Sequence, residues 1–202
     1  EIVEETVSDP LGRKISSVWG KLGDDNSAVI EMAKASGLAL LKDKEKSATL
    51  TSTYGTGELF KKALDNGISN FIVGIGGSAT NDGGAGFISA LGAKLLDENN
   101  NLIEPCGKNL NQITKIDMTN FDNRIQNISV KVACDVTNPL CGNEGASAIF
   151  GPQKGATPKE VEFLDSNLLH WAGILKDQIG KDILNVPGSG AAGGLGAGLM
   201  AF

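Results

Sequence analysis

The distribution of glycine is the feature of this sequence that most restricts its fold. Of the 202 residues 27 are glycine, and they gather in two clusters: residues 74–86 hold six in 13 residues, and residues 187–198 hold six in 12. The other 177 residues carry 15, close to the average of roughly 7%. A collagen-like or low-complexity chain is therefore excluded. The two clusters predict loops in which the backbone is left-handed or approaches another group closely.

The rest of the composition is typical of a globular protein. Hydrophobic residues make up 41% of the chain, charged residues 21%, and the formal net charge is -6. No run reaches the ~18 apolar residues of a transmembrane helix, and no basic segment of a signal peptide opens the chain. The acidic balance argues against nucleic acid as the main partner, because phosphate binding favours a basic face.

Cysteine usage indicates a reducing compartment. The three cysteines, Cys106, Cys134 and Cys141, form an odd set without a C-x-x-C pair. A disulfide framework is therefore not expected, and a cytoplasmic location is favoured. One bridge beside a free thiol is the alternative.

Apolar periodicity predicts strands and helices in alternation. In chain order, the predicted elements are a hairpin with strands at 14–22 and 27–33, a helix over 56–66, a buried strand over 70–75, a helix over 85–96 and a buried strand over 129–134. The alternation indicates the α/β class. Because of the hairpin, we expect a mixed β-sheet flanked by helices rather than an all-parallel sheet.

The clearest predicted element is a long helix from Pro158 to about Ile179. Thr157 is the expected N-cap, and Glu160 completes a capping box. Apolar residues then recur at steps of three and four, at Val161, Leu164, Leu168, Trp171, Leu175 and Ile179. Gly180 is expected to end the helix.

The first glycine cluster lies between a predicted strand and a predicted helix, where α/β proteins bind ligands. The backbone of Gly76, Gly77 and Ser78 can direct N–H groups at an anion. The polar side chains of the cluster, which could hold a sugar acid or a metal-bound phosphate, are Ser78, Thr80, Asn81 and Asp82. The alternative is a tight loop that only needs several positive φ angles.

The same cluster also fits a dinucleotide fingerprint, G-x-G-x-x-A, at Gly74, Gly76 and Ala79. That fingerprint requires a helix that starts within it, because the pyrophosphate binds at the helix N-terminus. Here residues 81–84 (Asn-Asp-Gly-Gly) take the place of the first turn and disfavour a helix. A Rossmann-type nucleotide site is therefore the weaker interpretation.

Two further loops carry polar residues that could take part in chemistry. Asp135 follows the strand predicted over 129–134, where a carboxylate can accept a substrate proton or bind Mg²⁺, with Asn138 as a partner; the alternative is a turn-capping Asp. Lys154 precedes the long helix and would add positive charge at an anion-binding position. Its alternative is an ordinary exposed loop lysine.

The second glycine cluster, which includes Gly193 and Gly194, resembles a phosphate-binding loop that runs into a helix. The alternative is close helix packing on small residues, and the residues do not decide between the two. No Walker motif G-x-x-x-x-G-K-[ST] is present. The single histidine, His170, lies in the long helix just off its apolar stripe, so neither a Ser-His-Asp triad nor a Cys/His zinc site is supported.

Together these segments closely resemble the type 1 glycerate kinase family. The resemblance is carried, in the family's order along almost the whole chain, by Asp9–Arg13 (DPLGR), Ala28–Leu38 (AVIEMAKASGL), Thr51–Leu59 (TSTYGTGEL), Gly74–Gly86, Cys134–Leu140 (CDVTNPL), Phe150–Ala156 (FGPQKGA) and Gly190–Gly196 (GAAGGLG). As a set, these motifs are far more specific than any single glycine motif.

The resemblance implies a kinase that uses ATP and Mg²⁺ to phosphorylate D-glycerate, built from two different α/β domains with the active site between them. Residues 1–202 would form a single α/β domain, the inserted second domain of such a two-domain α/β kinase. The chain starts at Glu1 without an initiator Met and ends at Phe202 in an apolar stretch. We therefore expect a fragment whose first domain is absent, so that the isolated piece could be inactive.

In that interpretation Gly76, Gly77 and Ser78 hold a phosphate or the glycerate carboxylate, and Thr80, Asn81, Asn138, Gly193 and Gly194 complete the binding site. Asp82 and Asp135 divide the roles of Mg²⁺ ligand and general base, in an order left open, and Lys154 stabilises charge on the transferred phosphate. The β-rich start of the chain could pair with that of a second copy in a homodimer. The alternatives are a non-catalytic substrate-binding or dimerisation domain and, more weakly, an NAD-binding Rossmann oxidoreductase.

Overall fold

The computed structural model describes residues 1–24 and 26–202. Its strands are β1 (Ile2–Ser8), β2 (Lys14–Lys21), β3 (Ser27–Glu31), β4 (Asn70–Gly74), β5 (Lys94–Leu96), β6 (Lys115–Asp117) and β7 (Ser129–Ala133). Its α-helices are α1 (Ala33–Ser36), α2 (Tyr54–Asp65), α3 (Ala85–Ala90), α4 (Ala146–Phe150), α5 (Pro158–Ile179) and α6 (Ala191–Ala201). No helix in the described ranges is both long and apolar enough to span a membrane.

The main sheet is mixed, as the sequence predicts. Its strand order is β1-β2-β3-β4-β7, in which β1–β2 and β2–β3 pair antiparallel, and β3–β4 and β4–β7 pair parallel. The predicted hairpin is confirmed as β2–β3, although Asp25 of its loop lies outside the described residues. The carboxyl ends of β3, β4 and β7 consequently meet at one edge of the sheet, where parallel sheets bind ligands.

Aromatic packing fixes the helices α2 and α3 against the sheet. Phe60 of α2 stacks on Phe71 of β4 with ring centroids 4.0 Å apart, and it meets the edge of Phe87 from α3 at 5.2 Å. All three rings are buried. Each such ring buries a large apolar area, and the geometry of the pairs adds to their stabilisation.

The helix predicted over residues 85–96 is wrong in its second half. The helix α3 ends at Ala90, and residues Lys94–Leu96 form β5, which pairs antiparallel with β6. Gly92 between them has a φ of 103°, and a Cβ there would lie 2.1 Å from the carbonyl oxygen of Asn120. A glycine in the left-handed conformation ends a helix. The apolar pattern of the sequence runs on past Gly92 and therefore predicted a helix that was too long.

The predicted burial of the strand at 129–134 is also wrong. The strand exists as β7, but it is the last strand of the sheet, and Val130 and Val132 keep 37% and 39% of their surface exposed. A short apolar run fits either a central or an edge strand, so it does not reveal what covers its faces.

The long helix α5 follows its predicted pattern. Thr157 Oγ1 accepts a hydrogen bond from the N–H of Glu160 at 3.3 Å, and the Glu160 carboxylate accepts from the N–H of Thr157 at 2.8 Å. Gly180 follows the helix with a φ of 77°. The predicted stripe packs into the core through its fully buried members Leu164, Leu168, Trp171 and Leu175.

Two glycines of this helix provide a matched test of the fold. Gly173 lies inside the exposed face with no atom within 4 Å of an added Cβ, whereas Gly180 is left-handed. Gly173→Ala should raise the free energy of unfolding by about 0.5–1 kcal/mol, because alanine favours the helix. Gly180→Ala should lower it by about 1–2 kcal/mol, because alanine is strained at this φ. Urea unfolding measures the free energy of unfolding of both variants. Equal changes in the two variants would contradict a helix that ends before Gly180.

Candidate functional site

Residues from all four segments singled out in the sequence line one cleft at the carboxyl edge of the sheet. The cleft has a volume of ≈ 340 Å³. Its lining includes Gly76, Gly77 and Ser78 from the loop after β4, Asp135 from the loop after β7, Gln153 from the turn before α5, and Ala191 and Ala192 at the start of α6. The four segments therefore meet at one place in the fold, although only some of the predicted residues line the cleft.

The loop after β4 is fixed through its outer backbone groups. The carbonyl of Gly77 accepts from the N–H of Leu38 at 2.9 Å, and the N–H of Ala79 donates to the carbonyl of Ser36 at 2.9 Å. Within the described ranges, the N–H groups of Gly76, Gly77 and Ser78 donate to no protein acceptor. The cleft is thus lined by three consecutive residues whose backbone N–H groups have no acceptor in the described part of the protein, and a run of such groups can bind an anion.

Asp82 lies near the end of the same loop, just before α3, and is fully buried. Its carboxylate accepts hydrogen bonds from the N–H of Thr53 (2.7 Å), the Thr53 hydroxyl (2.8 Å), the N–H of Gly86 (3.1 Å) and the N–H of Gly84 (3.3 Å). Burial raises the pKa of Asp82, while these hydrogen bonds oppose the rise. In this conformation the carboxylate joins the first turns of α2 and α3 and does not reach the cleft.

Lys154 is likewise buried, with 1% of its surface exposed. Its ammonium group donates to the carbonyl oxygen of Thr80 at 2.7 Å. Burial lowers the pKa of Lys154 to about 7, and the nearby charge of Asp82 acts in the opposite direction. The lysine therefore supports the loop from beneath, while its neighbour Gln153 lines the cleft.

Thr80 and Asn81, in the second half of the same loop, are also fully buried. The side-chain amide of Asn81 donates to the hydroxyl of Ser147 at 3.0 Å. Among the described residues, the hydroxyl of Thr80 and the amide oxygen of Asn81 find no hydrogen-bond partner. The predicted contact of these two side chains with a ligand stays a prediction.

The two glycine clusters pack directly on each other. A Cβ on Gly193 would lie 1.9 Å from the carbonyl oxygen of Thr80, and one on Gly194 would lie 2.8 Å from the Cα of Gly83. Both glycines are buried with positive φ. The close-packing interpretation thus describes these two positions, and the cleft itself is lined by their neighbours Ala191 and Ala192.

Asp135 is the predicted acidic residue that the structure places at the cleft surface. It is exposed just beyond the end of β7. Asn138, its predicted partner, is half-buried, and its amide donates to the carbonyl of Glu144 at 2.7 Å. Asn138 therefore fixes the shape of the loop that carries Asp135.

The segment before α2 holds two threonines that support the loop after β4. The hydroxyl of Thr51 donates to the carbonyl of Ala79 at 2.8 Å, and Thr53 supplies two of the hydrogen bonds to Asp82. Both threonines are fully buried. The signal was present, because the TSTYGTGEL stretch belongs to the resemblance and because buried threonines need hydrogen-bond partners.

The structure also shows whether the described residues could hold a metal ion or bind a dinucleotide. Within residues 1–24 and 26–202, no group of three or more His, Cys, Asp or Glu side chains is arranged to hold a metal ion. The helix α3 starts at Ala85, after Gly83 and Gly84 with φ of 62° and 77°. The fingerprint at Gly74 therefore lacks the helix that would bind a pyrophosphate, and the Rossmann alternative loses its support.

Comparison with known proteins decides the family. The model of the glycerate kinase family matches residues 1–202. The chain belongs to the glycerate kinase family.

Individual relatives agree with this assignment. The chain is 53% identical over 196 residues to the glycerate 2-kinase of Escherichia coli (strain K12), covering 97% of this chain and 51% of the relative. It is 52% identical over 196 residues to a glycerate kinase of Halalkalibacterium halodurans, covering 97% and 52% of the two chains. A crystal structure from Salmonella typhimurium LT2, provisionally named glycerate kinase 2, superposes with a TM-score of 0.98 at 49% identity, over 100% of this chain and 54% of the other.

The chain thus spans about half the length of the curated relatives it matches. The fold of these residues is shared with the solved relative.

The different positions of Asp82 and Asp135 in this glycerate kinase chain are open to a direct test. Asp82→Asn should lower the free energy of unfolding by about 2–3 kcal/mol, because an amide nitrogen would replace an oxygen that accepts from N–H and O–H donors. The exposed Asp135→Asn, as the matched control, should change it by less than about 0.5 kcal/mol. Urea unfolding followed by circular dichroism provides both values; an Asp82→Asn variant as stable as the control would contradict the hydrogen-bond network.

Proposed function

We propose that the protein transfers a phosphoryl group from ATP to D-glycerate and that residues 1–202 form its second domain. The supporting observation is that Gly76, Gly77 and Ser78 line the same cleft as the exposed Asp135, and that the N–H groups of these three residues donate to no acceptor among the described residues. Phosphoryl transfer requires positioning and neutralisation of charge more than covalent chemistry. A cleft with anion donors beside a carboxylate offers both.

The N–H groups of the loop would bind the anionic part of one substrate. Gly77 has a φ of 72°, which turns the chain sharply and which favours glycine. Such a series of N–H groups suits a phosphate or the carboxylate of glycerate equally well. Because the loop is tied down on its far side, its donors are ordered before the ligand arrives, which reduces the entropy lost on binding.

Asp135 is the residue best placed to act on the reacting groups. Its carboxylate could accept the proton of the glycerate hydroxyl or hold Mg²⁺. Mg²⁺ is commonly bound by one or two carboxylates together with substrate phosphates and water, so a single cleft carboxylate fits an ion that arrives with ATP. When bound, the ion would neutralise charge on the phosphates.

The roles predicted for Asp82 as a Mg²⁺ ligand and for Lys154 as a phosphate contact stay predictions. Both side chains are buried behind the loop and hydrogen-bonded to protein groups. Direct contact with a substrate would require the loop after β4 to move. In the conformation described here, their effect on a substrate has to pass through the loop.

The wider setting of the enzyme is also part of the proposal. The name of the Escherichia coli relative, glycerate 2-kinase, favours the 2-hydroxyl as the acceptor. We propose that a first domain of the same chain closes the cleft and supplies the rest of the ATP site. A homodimer is a further proposal, and the three free cysteines favour a cytoplasmic location.

One alternative keeps its support, namely a substrate-binding domain that does not itself carry out transfer. The observation behind it is that the chain spans about half of its relatives. Calorimetry of residues 1–202 with Mg-ATP and with D-glycerate separates the two proposals. Tight binding of Mg-ATP by residues 1–202 would contradict the alternative, whereas binding of D-glycerate but not of Mg-ATP is compatible with both proposals.

The catalytic proposal predicts a large effect of Asp135→Asn in the full-length protein. We expect kcat to fall by about 10²-fold or more, because the variant can neither accept a proton nor hold a cation in the same way. A coupled ADP assay measures turnover, and NMR identifies the phosphorylated hydroxyl. Asp177→Asn on the exposed surface of α5 is the control. Turnover of Asp135→Asn within a few-fold of this control would remove Asp135 from the mechanism.

A further inference from the structure

We propose that Lys154 is a positioning residue that acts from behind the anion-binding loop. Its ammonium group fixes the Thr80 carbonyl, which holds the N–H groups of residues 76–78 in place, and its positive charge strengthens the binding of an anion in the cleft. The inference rests on the proposed function, since it assigns the binding of an anionic substrate to the same cleft. It differs from the phosphate contact predicted from the sequence, because no contact between Lys154 and the substrate is required.

The backbone around Lys154 leaves its side chain little choice of direction. The residue ends a short 3₁₀ turn, Pro152–Lys154, between Gly151 and Gly155. The N–H of Gly151 donates to the carbonyl of Ser147 at 3.0 Å. Gly155 has a φ of 90°, and a Cβ on it would lie 2.7 Å from the carbonyl oxygen of Lys46. The turn is therefore closely packed on both sides, and it sends Lys154 inward.

The loop is attached to the rest of the protein by several hydrogen bonds, and the one from Lys154 to the Thr80 carbonyl has a charged donor. The others described above are neutral: Leu38 N–H to the Gly77 carbonyl, Ala79 N–H to the Ser36 carbonyl, and the Thr51 hydroxyl to the Ala79 carbonyl. Thr80 follows Ser78 by two residues, so its carbonyl lies close in the chain to the three N–H donors. Without Lys154 this buried carbonyl would lose its partner, and unpaired buried groups are costly.

The protonation state of Lys154 should depend on whether an anion is bound in the cleft. Burial lowers the pKa of this amine to about 7, and the charge that acts on it is that of Asp82, whose own pKa is raised by burial. Lys46, whose backbone packs on Gly155, pairs its ammonium group with Asp43 at 2.7 Å. An anion bound above the loop adds a second negative charge and favours the protonated amine.

The sign of the pH effect follows from linkage. If an anion raises the pKa of Lys154, protonation of Lys154 must strengthen anion binding by the same factor. The amine is protonated below pH about 7 and neutral above it. Affinity should therefore be highest in acid and fall as the pH rises through 7. A shift of one pKa unit on binding corresponds to a tenfold change in affinity.

The test uses the full-length enzyme and steady-state kinetics between pH 6 and 8.5, with KM for D-glycerate and for Mg-ATP measured separately. For the substrate whose anion occupies the loop, the wild-type KM should rise roughly three- to tenfold over this range. Lys154→Met should show a high KM at every pH, with a smaller change in kcat. Lys154→Arg, which keeps its charge throughout, should show no rise around pH 7. Lys159→Met, an exposed lysine of α5, is the control and should follow the wild type.

Several results would overturn the inference. They are a wild-type KM independent of pH for both substrates, a Lys154→Arg profile that still rises around pH 7, and a folded Lys154→Met enzyme with wild-type KM values. If thermal melting shows that Lys154→Met does not fold, the wild-type and Lys154→Arg profiles decide.

The proposed function can fail separately. If the wild-type enzyme shows no glycerate kinase activity, calorimetry with sulfate, whose charge is constant over this pH range, tests Lys154 alone. Binding that weakens as the pH rises in the wild type but not in Lys154→Arg supports the inference. Equal pH dependence in the two proteins, or no sulfate binding at any pH, overturns it.

Discussion

The buried carboxylate of Asp82 is the interaction on which the architecture of the site depends. It accepts hydrogen bonds from Thr53 at the start of α2 and from Gly84 and Gly86 at the start of α3. A carboxylate near helix N-termini satisfies N–H groups that have no partner within the helix and interacts favourably with the helix dipoles. These bonds offset part of the cost of burying the charge, and they join the starts of the two helices.

Packing explains some of the clustered glycines, and others line the cleft. Gly83 and Gly84 contact Gly194 and Gly198 so closely that a Cβ on Gly84 would lie 2.9 Å from the Cα of Gly198. Any side chain at these positions would separate the two segments, and core packing does not accommodate such expansion without strain. Gly76 and Gly77 are different, because they are exposed at the cleft. Their absent side chains leave the backbone N–H groups open to a ligand.

The sequence predicts well whatever depends on neighbouring residues and poorly whatever depends on distant ones. The capping box at Thr157, the apolar stripe of α5 and the hairpin β2–β3 follow from local patterns and are confirmed. The exposure of β7 and the end of α3 at Ala90 are set by strand order and by the contact of Gly92 with Asn120. The cleft residues after β4 and β7 could be located because parallel strands end at one edge. The burial of Asp82 and Lys154 could not, since both residue types are usually exposed.

The central claim is that the N–H groups of Gly76, Gly77 and Ser78 receive the anionic group of a substrate while Lys154 holds the loop from behind. The most direct measurement is a crystal structure of the full-length protein with D-glycerate, Mg²⁺ and a non-hydrolysable ATP analogue. It should show a carboxylate or phosphate oxygen within hydrogen-bonding distance of these N–H groups, with the Lys154 ammonium still on the Thr80 carbonyl. Substrates bound with their anionic groups elsewhere, and water alone on the loop, would contradict the claim.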